Sequence, residues 1–365
     1  MAHVEKRGTG RWRARYRDPN GTERSRTFKR KPDAERFLVE MEAKKLRGEW
    51  RDPALGRITY AEWCDRYFEA ALHKRPTTMA RDRQVNSKHF MPAFGNRALS
   101  SLTPIDVRSV VAAMADRLAP ATVRTNYGVL RAILTAAVDA DMIGASPCRG
   151  VKLPSGRAKD IRFLAPDEVR CLADAMPSDY RAMVFLAAIM GLRWSEIAGL
   201  RVGRIDFLRR TVEVSETCTE VDGKFVFGDV KTVASRRTLA MPDFVVTELA
   251  EHLRRVGRPG TDQLVFRAPA GGPLRRSLFR TRVWDPAVAA AGLGGLTFHH
   301  LRHSSVGLLI EVGAHPRVIQ ARLGHASVRT TMDVYGHVLP VTDDAVTAAL
   351  EKTFTTQAIR TAVAQ

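Results

Sequence analysis

The chain has 365 residues, 58 Lys and Arg against 39 Asp and Glu, a formal net charge of +19 and a hydrophobic fraction of 45%. That length suggests two or three domains with ordinary globular cores. The positive excess favours a polyanionic partner, nucleic acid most simply, although ribosomal, membrane-surface and chromatin proteins share the bias.

Cys64, Cys148, Cys171 and Cys218 stand far apart with no CxxC. That pattern argues against a disulfide framework or a zinc–thiolate site, and the four read as buried thiols in a reducing compartment. The N-terminus lacks a secretory apolar core. The longest apolar run, AMVFLAAIMGL between Arg181 and Arg193, is too short to span a bilayer and reads as a core helix.

In chain order, residues 1 to about 50 form a small basic unit. RWRARYRD alternates with period two and ERSRTFKR continues it, so both read as strands joined at Pro19-Asn20-Gly21. Arg11, Arg13, Arg15 and Arg17 share one strand face, with Trp12 and Tyr16 on the other. That face is either a solvated basic strand or a surface laid against DNA, and the global charge favours the second. Lys31-Pro32-Asp33 opens a helix ending at Gly48, whose Phe37, Leu38 and Met41 would cover the sheet.

Arg51 to Arg57, RDPALGR, reads as a linker. Helical patterns follow from Thr59 to about Asp141, with a second helix beginning at Thr77. Thr103 is an N-cap followed by Pro104 at the first helical position, and APATVRTNYG repeats the device. This region predicts a compact all-α domain, with Arg124 and Arg131 near one face of its last helix. Ser146 to Lys159 reads as an exposed linker. From Leu164 the chain is mostly helical again, interrupted by a β insertion (RRTVEVSET, GKFVFG, RRTLAMP) with turns at Asp222-Gly223 and around Lys231. After Leu339 a terminal helix is expected, capped near Pro340 and Thr342. Its stripe of Val346, Leu350 and Phe354 could fold back on its own domain or dock on a neighbouring protomer.

Six polar residues near the C-terminal end carry the chemistry: Arg193, Lys231, His299, Arg302, His325 and Tyr335. Of six tyrosines, Tyr335 alone follows closely on a dense His/Arg segment. A phenol needs nearby cations or a base to act as a nucleophile, and half-buried packing is the ordinary role of such a residue. Guanidinium forks match two phosphate oxygens and keep their charge. Arg193 follows Gly191, where the backbone can turn sharply, and Arg302 lies one helical turn beyond His299. Glu196 would orient Arg193, or form a plain helix salt bridge. Lys231 in its turn is either solvated or poised to protonate a departing alkoxide. His325, after Leu323-Gly324, fits a hydrogen-bond donor to phosphate. HHLRH lacks HExxH spacing and no cysteine or carboxylate cluster completes a site, so no metal is expected.

The order Arg, Lys, His-x-x-Arg, Gly-His, Tyr resembles the tyrosine recombinase family, specifically phage-type integrases. GLRWSEIAGL resembles the first arginine box, KTVASRRT the lysine hairpin, and FHHLRHSS, LGHASVRTT and MDVYGHV the second box. HFMPAFGNRALSSLTPIDV and the helix after it resemble a core-binding domain, and residues 1–50 an arm-binding module. The resemblance implies a multidomain, mainly α fold with small β elements. It would comprise a three-stranded sheet plus helix (1–50), an all-α core-binding domain (57–148) and a mostly helical catalytic domain with a C-terminal helix (160–365). It further implies a site-specific recombinase in which Tyr335 forms a 3′-phosphotyrosyl link, Arg193 and Arg302 hold phosphate oxygens, Lys231 is the general acid, and His299 and His325 assist. No nucleotide cofactor is implied. The implied partners are double-stranded DNA with core-type and arm-type sites, a homotetramer on that DNA, and DNA-bending and excision-directing accessory proteins. The implied setting is the cytoplasm of a bacterial host, at the nucleoid, with no membrane partner. His300 stands where the family often has Asp, and Ser146 replaces a common Asn. A type IB topoisomerase and a DNA-binding protein without catalysis remain as alternatives, as does a mobile element other than a phage.

Overall fold

The computed structural model describes residues 2–8, 10–48, 50–52, 54–156, 162–230 and 235–324, with Thr347 and Glu351. The chain divides into two compact units, Met1–Ala158 and Lys159–Gln365.

The first unit opens with an antiparallel sheet ordered β1 (His3–Arg7), β2 (Arg11–Arg17), β3 (Glu23–Phe28). The two strands read from alternation are β2 and β3. β1 is a third strand that no alternation announces, since HVEKR holds one aliphatic residue, Val4. The β2–β3 turn is built by Asp18, whose carboxylate accepts the backbone N–H groups of Asn20 and Thr22 at 3.0 and 2.9 Å. Helix α1 (Lys31–Leu46) lays Ala34, Phe37, Leu38 and Met41 over Ala14, Tyr16, Trp12 and Phe28. Side-chain alternation therefore puts Arg11, Arg13, Arg15 and Arg17 on the opposite face of β2.

The expected linker at Arg51–Arg57 is fastened down. Arg24 on β3 bridges Asp18 and Asp52, and Arg51 pairs with Asp141 at 2.8 Å. Gly56 is buried where a Cβ would lie 2.9 Å from the Met142 carbonyl oxygen. Beyond it, α2 (Tyr60–Ala70), α3 (Pro76–Val85), a π turn (Asn86–Phe90), α4 (Met91–Phe94), α5 (Pro104–Ala115) and α6 (Pro120–Asp139) form the all-α region. α3 begins at Pro76, one residue ahead of the expected Thr77, because proline's fixed φ suits the first helical position. Thr59 and Thr103 each close a capping box, with Glu62 and Asp106. Tyr60, Phe90, Phe94, Leu130, Ile133 and Leu134 are fully buried together, each burial stabilising by roughly 1.5–3 kcal/mol. The buried polar ends are paired: Tyr60 donates to the Asn86 amide oxygen at 2.7 Å and Trp63 to the Ile133 carbonyl at 3.0 Å. The linker expected from Ser146 begins inside this core. Pro147 and Cys148 are buried, and Tyr127 donates to the Cys148 carbonyl at 2.7 Å. A Pro/Gly-rich composition marked irregular backbone there, and exposure did not follow from it.

The second unit runs α7 (Pro166–Ala175), α8 (Arg181–Ala188), α9 (Trp194–Ala198), β4 (Ile205–Asp206), β5 (Thr211–Val214), β6 (Glu216–Val221), β7 (Lys224–Asp229), β8 (Arg237–Ala240), α10 (Asp243–Arg255), α11 (Arg276–Phe279), α12 (Asp285–Ala290), α13 (Phe298–Glu311) and α14 (Pro316–Leu323). β4, β5 and β8 form one antiparallel sheet, and β6–β7 is a hairpin inserted between β5 and β8. Its Asp222-Gly223 turn has φ of 49° and 76°, matching the twist of the strands it joins. α8 is buried throughout and packs against α13 and α10, a core helix as its composition predicts. Three cysteines are buried, but Cys171 is exposed. On α7 the inward positions are Val169, Leu172 and Ala173, and that helical stripe turns Cys171 outward. No helix among the described residues is long and apolar enough to cross a membrane.

Candidate active site

Three chain segments of the second unit meet around Arg302. The first leaves α8 through Gly191, at φ 68°. A Cβ there would lie 2.6 Å from Leu323 Cδ2 and 3.0 Å from Ser305 Oγ, so both backbone and space require glycine. The turn delivers Arg193 to the N-cap position of α9, with its ring neighbour Trp194 wedged edge-on against Phe298 at 5.2 Å and tilted against Phe279 at 4.8 Å. The second segment is α13, where Arg302 is 3% exposed. Its guanidinium donates to the Gly191 carbonyl and, at 2.6 Å, to the Leu323 carbonyl. The third is the end of α14, closed by Gly324 in the left-handed conformation. A planar guanidinium held by carbonyls of a loop and a helix end is fixed in direction as well as place.

Glu196 organises the other side. It is 3% exposed and receives Arg193 Nη1 at 2.8 Å and the Arg193 backbone N–H at 2.8 Å. Arg237 on β8 meets the same carboxylate with two nitrogens, at 3.1 and 3.0 Å. Burial alone would raise the Glu196 pKa; Arg237 and Arg193 outweigh it and hold the carboxyl below its usual range. Arg237 also donates to the Arg322 carbonyl at 2.6 Å and the Ser235 carbonyl at 2.9 Å, tying β8 to α14. Among the described residues two guanidiniums, of Arg193 and Arg237, share the Glu196 carboxylate, while Arg302 is held by backbone carbonyls and Arg322 touches the Met190 thioether, which leaves positive charge in excess.

His299 stands on the first turn of α13. Its residue is exposed, yet its ring is flanked closely enough that desolvation, then Arg302, Arg193 and Arg276, lower its pKa. It is neutral near pH 7 and able to accept a proton. His303 packs edge-on against it at 4.7 Å, with its own pKa lowered to about 4 by burial and by His299, His300 and Arg302. His300 is used differently from its neighbours: its Nδ1 accepts the Thr297 backbone N–H at 3.0 Å and caps the helix.

The structure therefore brings together Arg193, His299 and Arg302. Lys231, His325 and Tyr335 lie outside the described residues, as does the stripe of Val346, Leu350 and Phe354. Their described chain neighbours adjoin the cluster: Gly324 precedes His325, and Ser235, which follows the segment of Lys231, donates to the Gly324 carbonyl at 3.5 Å. Sequence reasoning missed Arg237 and Arg322. The signal for Arg237 was present, since it shares the inward face of β8 with Leu239.

In the first unit Arg124 and Arg131 are both exposed on α6, as the seven-residue spacing predicts, and Arg124 donates to the Pro154 carbonyl at 2.9 Å. On β2, Arg13 is bonded to Ser25 Oγ at 2.8 Å, Arg15 to Glu5 at 3.0 Å and Glu23 at 2.7 Å, and Arg17 to the Gly21 carbonyl at 2.8 Å. Arg11 is exposed at the strand end. Three of the four arginines of this face are thus already hydrogen-bonded within their own sheet and its turn.

Family models match along the chain: "Phage integrase, N-terminal domain" over residues 3–47, "Phage integrase, N-terminal SAM-like domain" over 59–115, and "Phage integrase family" over 162–341. A prophage phiRv2 integrase of Mycobacterium tuberculosis is 29% identical, covering 96% of this chain and 95% of the relative. Among solved structures, a Tn1549 transposon integrase in complex with transposon right end DNA is similar at TM-score 0.68 and 18% identity, over 81% of this chain and 99% of that one. A lambda integrase tetramer bound to a Holliday junction is similar at TM-score 0.56 and 17% identity, over 89% and 95%. With all three segments matched in order and the arginine–histidine cluster assembled, the chain belongs to the phage integrase family and is a tyrosine site-specific recombinase.

Proposed function

We propose that Tyr335 is the nucleophile of this recombinase and that the cluster around Arg302 receives the scissile phosphate. The supporting observation is the double anchoring of Arg302, whose one guanidinium is bonded to the loop that presents Arg193 and to the helix end that leads into His325. In this reading the Tyr335 phenolic oxygen attacks phosphorus, the bond to the 5′-oxygen breaks, and Lys231 gives that oxygen its proton. Arg193 and Arg302 stabilise the charge that builds on the non-bridging oxygens, where preorganised donors act most strongly. His299, neutral, accepts the phenol proton, and His325 donates to a phosphate oxygen. The phosphotyrosyl link keeps the ester's energy, so a 5′-hydroxyl from a second strand reverses the attack without nucleotide or metal.

Double-stranded DNA is the substrate. Three modules would divide the binding: residues 1–50 on arm-type sites, 57–148 on core-type sites through the face bearing Arg124 and Arg131, and 160–365 at the cut. Joining two duplexes takes four coordinated active sites, hence a homotetramer on DNA, an assembly form that the lambda integrase has on a Holliday junction. DNA-bending and excision-directing accessory proteins would set direction, in the cytoplasm of a bacterial host.

The test is covalent trapping on nicked attachment-site DNA in EDTA. The parent protein gives a protein–DNA adduct, and Tyr335→Phe binds the same duplex but gives none. An adduct with the variant, or a strict need for divalent metal, overturns the assignment. A type IB topoisomerase would instead relax supercoils as a monomer without paired sites.

A further inference from the structure

Arg322 takes no part in the chemistry described above, and its surroundings are unusual for an arginine. It is the penultimate residue of α14, in the helix's last turn with the buried Ile319 and Leu323. Its Nε is buried without a hydrogen-bond partner. The contact recorded for its guanidinium is a weak one, from Nη2 to the Met190 thioether at 3.9 Å. No carboxylate among the described residues is paired with it, and the buried carboxylate of the cluster, Glu196, is taken up by Arg193 and Arg237. Desolvation and then the charge of Arg237 lower the pKa of Arg322, the signature of a cation without a counter-ion. Burying such a group beside another arginine costs free energy that nothing in the described fold repays. The cost makes sense if an anion completes the site, because a guanidinium on phosphate regains both charge and hydrogen bonds.

We propose that Arg322 is a further DNA-phosphate-binding residue of the active site, contacting a single backbone phosphate at or next to the one that is cut. This rests on the recombinase function proposed above and adds to it a residue that neither arginine box contains. Arg237, with its nitrogens committed to Glu196, Arg322 and Ser235, is the positioning residue that holds the α14 backbone beneath Arg322.

The test is a methylphosphonate scan, in which single backbone phosphates of attachment-site duplexes are made neutral one at a time. Affinity and adduct rate are measured for the parent, Arg322→Met and Arg322→Lys. Met keeps the stem against Met190 and removes the charge. Arg322→Met should lose at least about tenfold in adduct rate. One methylphosphonate that harms the parent should cost Arg322→Met little more, while the other positions harm both proteins equally. The coupling, not the loss alone, separates phosphate contact from a structural role. A parental rate in Arg322→Met, or equal sensitivity at every position, overturns the proposal. If Arg322→Met does not fold, Arg322→Lys against the parent on the same series decides, with weakened coupling at one position as the expected result. Absence of any adduct with the parent counts against Tyr335 instead, and the affinity series still scores Arg322.

Discussion

At the scale of single residues, the site is governed by who shares a partner with whom. Arg302 and Arg193 are held by different acceptors, backbone carbonyls for one and a carboxylate for the other. Lysine at Arg302 would keep a charge but could not span two carbonyls and offer a fork. Arg302→Lys should therefore cut the adduct rate by on the order of a hundredfold or more, with much smaller loss of DNA affinity. Single-turnover cleavage beside a binding titration checks this; parental cleavage with normal binding would place Arg302 away from the phosphate. Arg193 and Arg302 were legible in the sequence because each belongs to a dense motif. Glu196 as the orienting group was legible from helical spacing alone. Arg237 was marked only by its inward position on β8; its role lies in pairing with a residue 41 positions earlier, a contact that only the fold creates.

At the scale of elements, α13 carries three histidines with three environments. His300 is spent on the helix start, so the position where the family often has Asp serves here as a backbone cap. His299 faces the arginines, and His303 lies deeper. The His303 pKa is about 4 in the folded protein, against roughly 6.5 in an unfolded chain. Between those values the unfolded state binds the extra proton, so folding is weakened. The stability is fully present above about pH 6.5 and is lost as pH falls toward 4. Urea midpoints taken from pH 7.5 down to 4.5 should decline across that window, and His303→Gln should decline less steeply. An equally steep decline in the variant would remove His303 as the cause. The sequence reading put His299 and Arg302 one helical turn apart, as they stand on α13. It could not rank the three rings, because depth beneath neighbouring helices is set by packing. The exposed Cys171 makes the same point in reverse.

At the scale of the whole molecule, helix, sheet and helix again were readable from periodicity, proline and turn residues. β1, an edge strand with one apolar residue, carries no alternation, and only the family resemblance implied a third strand. Length of DNA contact is the property that belongs to this scale. Removing residues 1–48 should leave cleavage of core-type duplexes intact and flatten the salt dependence of binding to arm-containing DNA. With Arg15 already paired to Glu5 and Glu23, the loss should correspond to roughly two or three phosphates, fewer than the four strand arginines suggest. Binding isotherms over a salt series decide, and equal slopes for the two proteins would contradict an arm-binding role.

The fastening of Arg51 and Asp52 has a consequence of its own. Arg24 holds Asp52 from the sheet side, and Arg51 holds Asp141 from the helical side. The side chains of both pairs are partly open to water, so each is worth only about 0–1 kcal/mol and weakens as salt rises. The joint should therefore loosen as ionic strength rises, or when a phosphate competes for Arg24 or Arg51.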